Sequence, residues 1–134
     1  MDADAGLDRE RARVAALEHV ARGVAVSGAP LRPRIMALLA AIVEHDKYHF
    51  FASPVDSDLY PDYLDVVARP MDLSTVGVKA ELGMYTTLED FEADLELVWA
   101  NCIEFNQEPN AYHLTAVELR SFSTAIIQGV AADM

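Results

Sequence analysis

The 26 residues KYHFFASPVDSDLYPDYLDVVARPMD, from Lys47 to Asp72, decide how this chain is read. Pro54, Pro61 and Pro70 exclude a continuous helix across them, because each removes a backbone donor and clashes with the preceding turn. The stretch is nevertheless not a solvated linker. Tyr48, Phe50, Phe51, Tyr60 and Tyr63 place five of the chain's 11 aromatic residues within 16 positions. Connections of this length inside a compact domain are generally functional. An aromatic, proline-stiffened connection has to fold back on its neighbours, which predicts a walled pocket at one end of the elements it joins.

Those elements read as helices. Upstream, Ile35, Leu38, Leu39, Ile42 and Val43 fall at i, i+3, i+4, i+7 and i+8, one helix face running from Pro33 and fading near Asp46. Downstream, Asp72 is placed as an N-cap and Gly83 as the residue just past a C-terminus, bounding a short helix. A longer helix opens at Thr86 or Thr87, with Glu89 and Asp90 positioned for capping-box contacts; its apolar face is Leu88, Phe91, Leu95, Val98, Cys102 and Phe105. The last follows Pro109-Asn110, with Leu114, Val117, Phe122, Ile126 and Val130 spaced along it. No alternating strand pattern competes. The expected fold is all-α, a four-helix bundle with a long loop between the first two core helices. Ahead of it, Leu7, Val14, Leu17, Val20 and Val24 suggest an extra N-terminal helix, closed by the linker-like Ser27-Gly28-Ala29-Pro30. The chain thus divides into an arm or accessory helix, 1–29, and one domain, 30–131.

Charge narrows the partners. Of 134 residues, 22 are Asp or Glu and 10 are Lys or Arg, a net charge of −12. Residues 1–34 hold six Arg against five acids, so the body from residue 35 onward carries −13. Direct nucleic-acid binding needs clustered Lys and Arg, which this body lacks; a basic or neutral partner suits it better. Cys102 is the single cysteine, which rules out an intramolecular disulfide framework and points to a reducing compartment. The charged run over residues 2–13 does not fit a signal peptide, and no apolar stretch reaches the length of a membrane span.

Several short words in and around the long loop resemble the bromodomain family. They are Phe51-Ala52-Ser53-Pro54-Val55-Asp56, Tyr60-Pro61-Asp62-Tyr63, Arg69-Pro70-Met71-Asp72-Leu73-Ser74-Thr75, Gly83-Met84-Tyr85, Phe91, and Asn101-Cys102-Ile103-Glu104-Phe105-Asn106. Each is weak alone; their order, between helices of suitable length, covers roughly residues 30–131. The resemblance implies a left-handed four-helix bundle that binds acetylated lysine on a histone tail or another acetylated protein. It implies a monomeric, non-enzymatic reader domain in the nucleus, within a larger chromatin protein or complex, needing neither cofactor nor metal.

Carried over by position, Asn106 resembles the asparagine whose amide donates to the acetyl oxygen. Tyr63 resembles the tyrosine that reaches the same oxygen through water. Phe51 and Val55 then form the apolar floor and wall, Tyr60 and Leu59 line the loop side, and Cys102 joins the acetyl-lysine-binding set. Tyr112 takes the gatekeeper position at the mouth. Where the family commonly has Trp-Pro-Phe, this chain has His49-Phe50-Phe51, so the terminal aromatic is kept and the outer shelf of His49 and Phe50 is altered.

Read without the resemblance, the same residues carry plainer roles. Asn106 is a good helix C-cap, Tyr63 a good core tyrosine, and Asn101 a group to satisfy loop backbone. Phe91, Phe105 and Trp99 read as bundle core, and Tyr48 and Tyr85 as packing residues. The run Glu89, Asp90, Glu92, Asp94 and Glu96 reads as a solvated helix face. His45 and His49 stand four apart but lack a third ligand for zinc. Asp56-Ser57-Asp58 opens like a calcium loop, yet Pro61 stands where that loop needs glycine. No nucleophile, phosphate loop or catalytic set is spaced for chemistry. The competing function is a helical adaptor whose acidic faces dock a basic peptide or helix independently of acetylation.

Overall fold

The structure is a computed structural model that describes residues 30–134. Its elements are α1 (Leu31–His45), a single turn α2 (Tyr63–Val66), α3 (Leu73–Glu81), α4 (Leu88–Phe105) and α5 (Ala111–Ala132). The described residues are all helical apart from turns and loops, with four principal helices and the one-turn α2 inside the long connection. The extra N-terminal helix expected over 7–26 lies outside the described residues.

Local signals place the helix ends. The Asp72 carboxylate accepts from the backbone N–H groups of Ser74 (3.0 Å) and Thr75 (3.2 Å), satisfying donors that a first turn leaves orphaned. Gly83 takes φ 71°, the left-handed conformation that suits glycine beyond a C-terminus. Thr87 caps α4 by accepting from Asp90 N–H at 3.1 Å. The Asp90 carboxylate accepts from the Thr86 hydroxyl.

The core holds Ile35, Leu38 and Ile42 of α1, Val76 of α3, Phe91, Leu95 and Trp99 of α4, and Leu119, Phe122 and Ile126 of α5, all at most 2% exposed. α4 and α5 share the longest interface, and α1 packs on both and on α3. Three residues on the expected apolar faces of α1 and α5 are largely exposed instead. Val43, Leu114 and Val117 are 39%, 60% and 43% exposed. On α5 the buried stripe is instead Ala116, Leu119, Ser123, Ile127 and Val130 together with Phe122 and Ile126. Periodicity finds a stripe, but neighbouring helices decide which edge of it they cover.

The acidic face of α4 also differs from the expectation at one position. Asp94 is buried, and its carboxylate accepts from Lys79 Nζ (2.5 Å) and from the Tyr85 hydroxyl (2.7 Å). Asp94 stands three residues after Phe91 and four before Val98, on the buried stripe. The charge can stay there because a cation and a hydroxyl meet it. Tyr85 packs as expected, whereas Tyr48 is 73% exposed.

A second buried carboxylate controls the long loop. Asp46, 1% exposed at the end of α1, accepts from Phe50 N–H at 3.1 Å and Phe51 N–H at 3.0 Å. His49 adopts φ 55°, and this left-handed residue turns the chain back over Asp46. The Phe51 carbonyl then accepts from Leu73 N–H at 2.8 Å, tying the start of the loop to the start of α3. Further along, Asn101 Nδ2 donates to the Arg69 carbonyl at 2.7 Å. This is the backbone-satisfying role expected of Asn101.

Replacing Asp46 by Ala leaves two inward-facing N–H groups without their charged acceptor. An expected loss of about 2–4 kcal/mol follows from the usual worth of such bonds. Chemical denaturation of wild type and Asp46→Ala measures it, and equal midpoints and slopes would contradict the role.

Candidate functional site

The loop and the end of α4 enclose a cavity of about 370 Å³, within the size range of small-ligand sites. The loop is held against α4 by aromatic edges. The Phe51 and Trp99 rings stand perpendicular at 5.2 Å and 89°, Tyr63 meets Phe105 at 5.0 Å, and Tyr60 meets the same Phe105 ring at 6.1 Å. Such edge-to-face pairs add directional preference to area burial. Phe51 and Tyr63 are buried below the cavity, while Val55 and Tyr60 are partly exposed on its loop side.

Nine of the ten residues expected at the site line this cavity: Asn106, Tyr63, Phe51, Val55, Tyr60, Tyr112 and Cys102, and the shelf pair His49 and Phe50. The tenth, Leu59, does not. It sits in a turn closed by Leu59 N–H and Tyr60 N–H on the Asp56 carbonyl, and its side chain is 72% exposed. In this turn Tyr60 takes the inner place and Leu59 faces solvent. Phe105, expected in the core, is only partly buried and lines the cavity with Val98 and Met71.

The mouth is aromatic. Phe50 lies 4.5 Å from Tyr112 and 5.5 Å from Tyr48, so one cluster runs from the exposed Tyr48 to the cavity rim. Tyr112, on the first turn of α5, is 43% exposed and narrows the opening.

Asn106 is the C-cap of α4, and its N–H donates to the Cys102 carbonyl at 2.9 Å. Its side-chain Nδ2 donates to that same carbonyl at 3.0 Å, and its Oδ1 accepts from Asn110 Nδ2 at 3.1 Å. An amide nitrogen carries two hydrogens. One goes to the Cys102 carbonyl, and the other has only a long contact of 3.7 Å to the Cys102 sulfur, which the carbonyl of a molecule entering the cavity can replace. The helix-capping role and the cavity-facing role are therefore compatible in one side chain.

Two acid–base groups in the wall, Tyr63 and Cys102, are held toward their neutral forms. Burial raises the Tyr63 phenol, with a further contribution from Cys102. Burial pushes the Cys102 thiol up to about 11, with the Asn106 hydrogen bond opposing in part. The thiol donates to the Tyr112 carbonyl at 3.4 Å, linking α4 to the gatekeeper turn. Carboxylates stand at two levels: Asp72, buried in the lining, is occupied by the N–H and hydroxyl groups of Ser74 and Thr75, while Asp56, Asp58, Asp62 and Asp65 are exposed along the loop. Among the described residues, no group of three His, Cys, Asp or Glu side chains could hold a metal ion. The site offers a neutral slot with one amide donor, surrounded by carboxylates.

Sequence reasoning did not anticipate Asp46, Asn110 or His113. Asp46 had a usable signal: an acid just past a helix C-terminus is disfavoured by the helix dipole and needs a reason to be there.

Comparison with known proteins agrees with the geometry. The sequence model of the bromodomain family matches residues 35–118. The human Bromodomain and PHD finger-containing protein 3 is 38% identical over 99 residues, covering 74% of this chain and 8% of that protein. The Histone acetyltransferase GCN5 of Yarrowia lipolytica is 37% identical over 93 residues, 69% of this chain and 20% of that protein. The chain therefore spans only a small part of these relatives. Among solved structures, a Trypanosoma cruzi bromodomain superposes with a TM-score of 0.70 at 27% identity, covering 76% of this chain and 90% of that one. A Trypanosoma brucei bromodomain, solved in complex with bromosporine, superposes with a TM-score of 0.68 at 26% identity, covering 71% and 83%.

The raised thiol sets an expectation for reactivity. From an ordinary value of 9.0, a rise to about 11 leaves roughly a hundredfold less thiolate near neutral pH. Iodoacetamide should alkylate Cys102 correspondingly slower than a free cysteine peptide, as followed by intact mass. Labelling at the free-peptide rate would contradict the buried, neutral thiol.

Proposed function

This chain belongs to the bromodomain family, whose members are acetyl-lysine reader modules, and from that premise we propose that residues 30–131 bind acetylated lysine on histone tails or other chromatin-associated proteins. The observation that carries the proposal is the Asn106 amide on the wall of an apolar-sided cavity, its second Nδ2 hydrogen held only by a long contact to the Cys102 sulfur. Acetyl-lysine is an apolar stem ending in an amide, and its carbonyl keeps its hydrogen bond on burial only if such a donor is waiting. Tyr63 reaches the same oxygen through a water. Phe51 and Val55 take the methyl and the stem, Tyr60 closes the loop side, and Tyr112 and Phe50 receive the flanking peptide at the mouth.

Desolvation supplies the discrimination. Unmodified lysine would carry an ammonium into a slot where Tyr63 and Cys102 are neutral and the buried carboxylate of the lining, Asp72, is already occupied by Ser74 and Thr75, which costs several kcal/mol. Acetylation removes that charge and adds a methyl worth about 0.8 kcal/mol on burial. A few buried methylenes and one or two hydrogen bonds, set against ordering a peptide, correspond to dissociation constants of about micromolar to millimolar. The domain acts as a binding module in the nucleus, carried by a longer chromatin protein; the relatives named above, of which it spans 8% and 20%, support that setting.

An acetylated-histone peptide array, read with wild type and Asn106→Ala side by side, tests the reading. Wild type is expected to retain acetylated peptides only, and the variant to lose more than about tenfold in affinity. Equal retention of acetylated and unmodified peptides would instead support the adaptor with acidic docking faces.

The rim carboxylates act on approach rather than on choice. They cannot attract the acetylated residue, but they attract Lys and Arg flanking it on a basic tail. Raising salt from about 50 to 500 mM should weaken peptide binding while the preference for acetylation persists. Isothermal titration at both salts measures this. Loss of the preference along with the affinity would show that the rim, not the slot, makes the choice.

A further inference from the structure

We propose that Asn110 and His113 are positioning residues that set the polarity of the slot, and with it the class of lysine accepted. The inference rests on the acetyl-lysine reading of the site and concerns how Asn106 is made to donate. Asparagine is ambivalent: turned over, its amide would present Oδ1 to the cavity and accept from an ammonium instead of donating to an acyl carbonyl. The orientation of Asn106 is therefore a specificity element in its own right.

A closed circuit of three hydrogen bonds decides it. The backbone N–H of His113 reaches Asn110 Oδ1 at 2.9 Å. A backbone N–H can only donate, so the oxygen of the Asn110 amide is held on that side and its Nδ2 is sent to the other. There Nδ2 meets Asn106 at 3.1 Å and requires Oδ1 to face it. With Oδ1 so committed, Asn106 Nδ2 faces the Cys102 carbonyl and the cavity. The His113 ring closes the circuit at 2.6 Å from the Asn106 carbonyl oxygen. Since that oxygen can only accept, Nδ1 carries the proton and donates. The polarity of one backbone N–H is thus relayed through two side-chain amides to the ligand.

The arrangement also explains why the relay is built at the α4–α5 junction. Asn110 is the N-cap of α5 and Asn106 the C-cap of α4, so two orphaned helix ends share one network. Other groups contacting Asn106, namely the Cys102 carbonyl and thiol, favour the same orientation from the α4 side. Asn110 is the added constraint from outside the helix, and His113 holds the main chain that carries the amide.

Asn110→Ser separates capping from positioning, because a serine hydroxyl still accepts from His113 N–H as an N-cap but is too short to donate to Asn106. Three measurements on the domain decide the matter: affinity for an acetyl-lysine peptide, melting temperature, and nuclear Overhauser contacts from the Asn106 Nδ2 protons to Cys102. The expected result is about three- to tenfold weaker acetyl-lysine binding, weakened contacts to Cys102, and an unchanged melting temperature. Unchanged affinity, while Asn106→Ala abolishes binding, overturns the relay and leaves the acetyl-lysine reading standing. So does weaker binding that merely tracks a lower melting temperature with the contacts intact. Undiminished binding by Asn106→Ala instead removes the reading itself. Should Asn110→Ser not fold, Asn110→Asp keeps an N-cap acceptor for the residue-113 N–H but has no donor for Asn106 Oδ1, and the same three measurements are read in the same way.

Discussion

The Asp46 carboxylate is the constraint on which the functional end of this bundle depends. It is 1% exposed, stands just past the C-terminus of α1, and gathers two successive N–H groups from the chain that follows. A buried anion in that place is unfavourable by itself, since the helix dipole and desolvation both oppose it. The two donors make it tolerable, and in doing so they dictate the backbone at Phe50 and Phe51. From there the geometry propagates: His49 is driven to positive φ, the Phe51 carbonyl reaches Leu73 N–H, and the Phe51 ring comes to rest perpendicular to Trp99. A loop of 26 residues would otherwise have little reason to choose one path. Here its entry is bound by Asp46, its exit by Asn101 on the Arg69 carbonyl, and its middle by Tyr60 and Tyr63 on Phe105.

Polar groups are divided by depth in a way that suits recognition of a neutral amide. Inside the cavity, burial keeps Tyr63 and Cys102 protonated, and Asn106 contributes a donor with no charge. Outside it, acidic side chains crowd the loop. The buried acids, Asp46, Asp94 and the cavity-lining Asp72, are each occupied by structural donors. An acidic protein can in this way keep a neutral binding site: carboxylates either stay in solvent or meet dedicated donors.

The architecture was legible because its signals are local. Asp72, Gly83 and Thr87 mark helix ends through hydrogen bonds to neighbours two or three residues away, or through a backbone angle one residue adopts alone, and each acts as the sequence suggests. Much of the cavity lining could also be picked out, although through the order of family-like words and not through spacing. What misled were patterns whose outcome depends on partners elsewhere. Leu114 and Val117 continue an apolar pattern yet face out, because the helices packed on α5 cover a neighbouring stripe. Asp94 belongs to an acidic run that reads as solvated, although its three- and four-residue spacing from Phe91 and Val98 marks it as inward. Leu59 and Tyr60 are adjacent, and only the turn on Asp56 assigns one of them to the cavity.

By itself the sequence determined the helical class, the helix ends, the presence of an aromatic-walled loop and the acidity of its surroundings. All of these follow from periodicity, capping and composition, which act over a few residues. Tertiary structure alone decided which carboxylates are buried, which face of Asn106 meets the cavity, and which loop side chain closes the slot. Those outcomes rest on bonds such as Lys79 to Asp94, Asn101 to Arg69 and His113 to Asn106, where the partner comes from another helix or from the loop. A hydrogen-bonding group reads the same in any sequence. Only the packed fold supplies the donor or acceptor that gives it a direction.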